Sequence, residues 1–153
     1  DHVEHRFQKG FTLLTLGWSD GYSFIPVGFN LLSSVKKNNR YNEVSENIDH
    51  RTNGYKFRKE SMMSKTDAAV LLIQRALQSG IKADYLLMDT WFTTEPMIRS
   101  VLNAGLDVIG IVKQLKQRYT YKGKKYTLHE LKRMVRFEGA KNIFGSLVVT
   151  TKT

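Results

Sequence analysis

Cysteine is absent from this 153-residue chain. That excludes a disulfide framework and the cysteine-based zinc modules of many small nucleic-acid binders, and leaves the redox compartment open. No apolar run approaches the roughly 18 residues of a membrane span, and the opening DHVEHRFQKG is too charged for a signal peptide. A soluble, cytoplasmic protein without a membrane partner is the simplest expectation. There is no Walker-type phosphate loop, no Gly-x-Ser-x-Gly elbow and no internal repeat, so nucleotide hydrolysis and serine hydrolase chemistry have no support. Acids are scarce too: 14 Asp and Glu stand against 24 Lys and Arg, a formal charge of +10. An excess of that size points to a polyanionic partner ahead of a neutral small molecule.

What is present is enough apolar material, 41% of residues, for one domain with a real core. The positive charge is unevenly spread. Residues 113–153 carry Lys113, Lys116, Arg118, Lys122, Lys124, Lys125, Lys132, Arg133, Arg136, Lys141 and Lys152 against only Glu130 and Glu138. A polar stretch, residues 35–65, adds Lys36, Lys37, Arg40, Arg51, Lys56, Arg58, Lys59 and Lys65. Tyr41, Tyr55, Phe57, Tyr119, Tyr121 and Tyr126 interleave with these cations. Such aromatics can stack on bases while the cations meet phosphates; Tyr alternating with Lys also describes a half-buried strand, and the two readings are compatible.

Along the chain, FTLLTLGWSDGYSFIPVGFNLLSS reads as a hairpin turning at Ser19-Asp20-Gly21, with Asp20 as a turn residue. Residues 35–65 lose apolar periodicity and read as a long basic excursion. Thr66 or Asp67 is expected to cap a helix with Ala69, Leu72, Ile73, Ala76 and Leu77 on its inner face, ended by Gly80. YLLMD follows as a strand expected to be central and buried on both faces. Thr94 or Glu95 with Pro96 opens a second helix, closed by Gly105, and LDVIGIV is a further strand, so strand, helix and strand form a right-handed parallel crossover. A second hairpin in RYTYKGKKYTL, a short basic helix in TLHELKRMVR and a strand in IFGSLVVTT complete the reading.

Asp89 ends an apolar strand and is followed by Trp91 and Phe92. In an open α/β sheet, reactive groups lie past the carboxyl ends of central parallel strands, where a carboxylate can hold a hard divalent cation or simply hydrogen-bond a local turn. Phe92 is expected to pack on the helix that follows, and Trp91 either to pack there or to stack on a base. His2 and His5, beside Asp1 and Glu4, are read as exposed polar residues, and His50 and His129 have no nearby ligand pattern.

The order of elements, with FTLLTLGWSDGYSFIP, SSVKKNNR and ADYLLMDTWFT, resembles the catalytic domain of bacterial insertion-sequence transposases of the DDE type, cut-and-paste enzymes with a β-rich insertion. The resemblance covers nearly the whole chain and is most specific in the hairpin and around Asp89. It implies an α/β, RNase H-like mixed sheet with flanking helices, incomplete here: residues 1–113 as a partial core and 114–153 as the start of the basic insertion. It implies two aspartates and a glutamate holding two Mg2+ (or Mn2+) ions for DNA cleavage and strand transfer at transposon ends. Asp89 matches the second aspartate. The first aspartate and the glutamate are expected outside this chain, which begins at Asp1 rather than Met and is read as an excerpt, inactive alone; the surroundings of Glu130 do not resemble the family's glutamate. Double-stranded DNA is the implied partner and a homodimer the implied assembly. Lys36, Lys37, Arg40, Arg58, Lys59, Trp91, Lys113, Lys122, Lys124 and Lys125 are the residues expected to meet DNA. The rival reading is a non-catalytic nucleic-acid-binding module or a degenerate transposase remnant.

Overall fold

Two strands, β1 (Thr12–Ser19) and β2 (Phe24–Leu32), pair antiparallel from Thr12 opposite Leu32 to Ser19 opposite Phe24. The register slips between Leu16, opposite Gly28, and Gly17, opposite Pro26, so Val27 is an extra residue on β2. Pro26 sits beside this bulge, where a missing backbone donor costs least. Gly17 lets the Phe24 ring lie over it: a Cβ there would fall 2.1 Å from the ring tip, which would have to swing aside. The computed structural model that provides these positions describes residues 9–134 apart from 44 and 46. The expected strand in IFGSLVVTT, and His2 and His5, lie outside the described residues.

The hairpin loop is wider than the expected Asp-Gly turn. Residues 20–23 connect the strands, and Asp20 acts through its side chain, accepting hydrogen bonds from the N–H groups of Tyr22 (2.9 Å) and Ser23 (2.7 Å). Only Gly21 takes a positive φ, +94°. Asp20 is thus a turn residue by Asx geometry rather than by a left-handed backbone.

The polar excursion holds more structure than its composition promised. A 3-10 turn at Lys37–Asn39 is followed by helix α1 (Asn53–Glu60), capped by the Thr52 side chain, which accepts from Tyr55 N–H. Lacking an apolar stripe, α1 is held by polar contacts that sequence periodicity does not reveal. Arg75 donates to both Glu60 oxygens, at 2.8 Å on Oε2, and Ser33 N–H donates to Ser61 O at 2.7 Å.

Helix α2 (Lys65–Gln78) begins earlier than Thr66 or Asp67 would place it, because Ser64 is its cap. Ser64 Oγ accepts from Asp67 N–H (3.1 Å) and donates to the Asp67 carboxylate (2.6 Å), so Asp67 closes the cap from within the first turn. Gly80 ends the helix at φ +87° as expected. Ala68, Leu72 and Ile73 are buried, and α2 packs on β1 and β2, where Gly28 leaves room for Leu72. Leu13, Phe29 and Leu31, whose side chains alternate to the other face, stay exposed.

Strands β3 (Tyr85–Met88) and β4 (Asp107–Gly110) pair with each other, with α3 (Glu95–Asn103) between them in sequence. The pairing is parallel: Asp107 N–H donates to Asp84 O and Ile111 N–H to Met88 O, so the bonds advance together along both strands. Pro96 stands in the first turn of α3, and Gly105 follows its end at φ +86°. The expectation that YLLMD is buried on both faces is overturned. Its residues alternate exposed and half-buried, and Leu87 is 74% exposed, because among the described residues nothing is packed over the face that carries Tyr85 and Leu87; nor is the strand central, since β4 is its sole strand neighbour there.

Strands β5 (Arg118–Tyr121) and β6 (Lys124–Thr127) form the second hairpin around Lys122-Gly123, with φ +47° and +75°, the double positive φ of a two-residue turn. Helix α4 (Leu128–Met134) follows, with Leu131 buried. Among the described residues the architecture is mixed α/β, four helices with three two-stranded sheets. Instead of one compact unit there are two, residues 1–86 with 100–107 and residues 87–99 with 108–153. Among the described residues no helix is long and apolar enough to cross a membrane.

Ser64→Ala removes the acceptor for Asp67 N–H and is expected to destabilise the fold by about 1 kcal/mol, read as a lower denaturation midpoint, while Ser64→Thr, which keeps the hydroxyl, retains most of the stability.

Candidate functional site

Asp89 leaves the end of β3 exposed, and four hydrogen bonds set the turn after it. Its Oδ1 accepts from Trp91 N–H (2.9 Å) and Phe92 N–H (3.2 Å). Its backbone carbonyl accepts twice from Thr93, at 3.1 Å from N–H and 2.6 Å from Oγ1. Oδ1 is therefore committed to the backbone, while Oδ2 accepts no hydrogen bond from a described residue. The local-turn role and an open carboxylate oxygen coexist in one side chain, because a carboxylate has lone pairs for both.

The aromatics behind it differ in exposure. Phe92 is half-buried, whereas Trp91 is 60% exposed, the two rings tilted at 60° with centroids 6.0 Å apart.

A hard cation such as Mg2+ needs several oxygen ligands, and here the described residues fall short. No group of three or more His, Asp or Glu side chains gathers among them. Glu95, in the first turn of α3, is engaged by Arg99 at 2.9 Å, and Asp84 and Asp107 lie at the ends of β3 and β4 remote from Asp89. Glu130 serves as a helix cap through one oxygen: Oε2 accepts from Thr127 N–H (2.7 Å) and Thr127 Oγ1 (2.8 Å), and Glu130 N–H donates back to Oγ1. Asp89 supplies one oxygen, and the described residues do not assemble a metal site around it.

The cations expected to meet DNA differ in availability. Lys36, Lys37 and Lys59 are exposed. Arg58 is exposed but turns back to donate to Gly54 O. Arg40 is committed: its guanidinium bonds Ser34 O, Val35 O and Glu43, which makes it a brace of its own loop. In the unit that holds Asp89 and Trp91, Lys113, Lys122, Lys124 and Lys125 are all exposed, and Lys122 Nζ lies 5.3 Å from the centroid of the Tyr121 ring.

Of the aromatics read as stacking platforms, Tyr119 is corrected. It is 8% exposed, opposite Tyr126 in the hairpin, and burial raises its hydroxyl pKa, so it belongs to the core. Tyr55 is stacked on His50 with centroids 4.2 Å apart, and Tyr41 on Phe11. Thr93 was missed by sequence reasoning; the available signal was a threonine four residues after an acid that ends a strand. A cleft of about 1090 Å3 beside β2, lined by Phe29, Asn30, Leu31, Phe57, Leu72 and Arg75 among others, is mainly apolar and does not contain Asp89.

Comparison with family models, with curated proteins and with solved structures found no match.

The Thr127 N–H, and then the Thr127 hydroxyl, hold the Glu130 carboxyl below the usual glutamate range. A depressed folded-state pKa contributes stability that is fully present above the unfolded value and is lost as pH falls through the folded value. We expect a carboxyl titration followed by NMR to place Glu130 below an unperturbed glutamate, and amide protection in α4 to weaken on acidification; in Glu130→Gln that acid-dependent change disappears.

Proposed function

We propose that this chain is part of the catalytic core of a DDE-type transposase with an RNase H-like fold, in which Asp89 is one of the carboxylates that hold Mg2+ or Mn2+ for cleavage and strand transfer of double-stranded DNA. The observation that carries the reading is the Asp89 turn. An acid at the carboxyl end of a parallel strand has one oxygen pinned by two backbone N–H groups, the other open, and an exposed indole beside it. Preorganisation of this kind suits phosphoryl transfer, in which positioning and charge neutralisation supply most of the catalysis. The order of hairpin, helix, strand, helix and strand supports the fold assignment. The remaining carboxylates come, on this proposal, from outside the described residues, and the working form is a homodimer acting on cytoplasmic DNA. The exposed lysines of the β5–β6 turn and of the 35–65 stretch are the proposed phosphate contacts.

A second reading, a binding module without catalysis, draws on the lack of a metal-binding group among the described residues. One substitution separates the two. Asp89→Asn keeps an Oδ1 acceptor for Trp91 and Phe92 N–H, so the turn survives while the charge is lost. For the transposase we expect the full-length Asp89→Asn protein to bind DNA yet cleave no strand; retained cleavage rules the assignment out. For a binding module the substitution leaves affinity unchanged or slightly raised.

Affinity for DNA is expected to fall with salt, with a log-log slope of about 0.9 per neutralised phosphate. Replacing Lys122, Lys124 and Lys125 together by alanine is expected to lower that slope by about 2 to 3, measured by fluorescence anisotropy titrations.

A further inference from the structure

Gly110, the last residue of β4, interrupts an apolar strand without a backbone reason for glycine. The glycines at positive φ are Gly21, Gly80, Gly105 and Gly123, and Gly110 is not one of them. Space is the reason instead. A Cβ at position 110 would lie 2.5 Å from Thr93 Oγ1, 2.8 Å from Thr93 Cγ2 and 3.2 Å from Thr93 Cβ, all distances at which something must move. The obstacle is one side chain, and that side chain closes the Asp89 turn: Thr93 Oγ1 and N–H both bond the Asp89 carbonyl. Thr93 is half-buried, seated over the strand where Gly110 leaves it room.

We infer that Gly110 and Thr93 are positioning residues for Asp89, a seat and a clamp that together fix the direction of its open carboxylate oxygen. The clamp follows from the two bonds to the Asp89 carbonyl, which set the backbone of residues 89–93 and so bring Trp91 and Phe92 N–H onto Oδ1. The seat follows from contact, since any larger residue at 110 displaces Thr93 and loosens both sets of bonds. Small shifts of such a group carry large catalytic consequences, because a misplacement of about 1 Å can cost about 100-fold in rate. The role of Asp89 in DNA cleavage rests on the function proposed above; the positioning of Asp89 does not.

Amide hydrogen exchange measured by NMR on this whole chain tests the inference without reference to activity. Gly110→Ala is expected to speed exchange at Trp91, Phe92 and Thr93 at least tenfold while the amides of α2 keep their wild-type rates. Wild-type exchange at these three positions overturns the positioning role. Thr93→Val provides a second variant should Gly110→Ala fail to fold, since it keeps the shape on Gly110 and removes only the hydroxyl donor. It is expected to speed exchange at Trp91 and Phe92 at least threefold, and unchanged rates there overturn the clamp. In the full-length protein, either variant should lower strand cleavage at least tenfold and raise the Mn2+ concentration needed for half-maximal rate. The two failures are separable: an active Asp89→Asn protein removes the transposase reading, whereas faster exchange in Gly110→Ala still supports the positioning of Asp89.

Discussion

Where the chain turns out of β1 and β3, and where α1, α2 and α4 begin, backbone N–H groups lack regular partners, and side-chain oxygens take them up. Asp20 serves Tyr22 and Ser23, Thr52 serves Tyr55, Ser64 serves Asp67, Asp89 serves Trp91 and Phe92, and Thr127 with Glu130 caps α4. An unpaired buried amide costs about as much as a lost hydrogen bond, so these contacts decide where elements end. They matter more here because apolar burial is modest. Among the described residues only nine hydrophobic side chains are buried, while Leu13, Phe29 and Leu87 remain open to solvent, so capping and packing on α2 share the task of ordering the chain.

The same device links structure to chemistry. A turn that satisfies two amides through one oxygen of Asp89 leaves the second oxygen directed by the first. Glu130 follows the same pattern, since Oε2 takes both bonds from Thr127 while Oε1 accepts none from a described residue, and there the carboxylate serves as a helix cap. The two acids differ in where they stand, Asp89 at the end of a strand and Glu130 in the first turn of α4, rather than in how many oxygens remain free.

Charge sorts in a similar way. Arg40 and Arg75, prominent in a count of cations, are tied to backbone carbonyls or to Glu60, whereas the lysines of the β5–β6 turn stand exposed. Arginine's planar fork finds several acceptors at once and is drawn into braces, while a lysine at a turn tip stays with water and is available to phosphates.

Much of this was legible in local pattern. The two hairpins, the helix after the polar stretch, the strand-helix-strand unit and the glycines that stop helices follow from turn chemistry and periodicity, which act over a few residues. Asp89 too could be picked out, as an acid that ends an apolar run. Other features needed the folded chain. YLLMD reads as a buried strand because its residues are apolar, yet burial depends on neighbours that a strand's own composition does not specify. Helix α1 has no apolar stripe to announce it and is tied to α2 by a Glu60–Arg75 pair 15 residues apart. The sequence by itself determined where the strands and the glycine-ended helices lie, because those preferences are local; only the tertiary structure decided that Ser64 caps α2, which oxygen of Asp89 is open and what position 110 meets, the last two because Thr93 meets a strand 17 residues further along the chain.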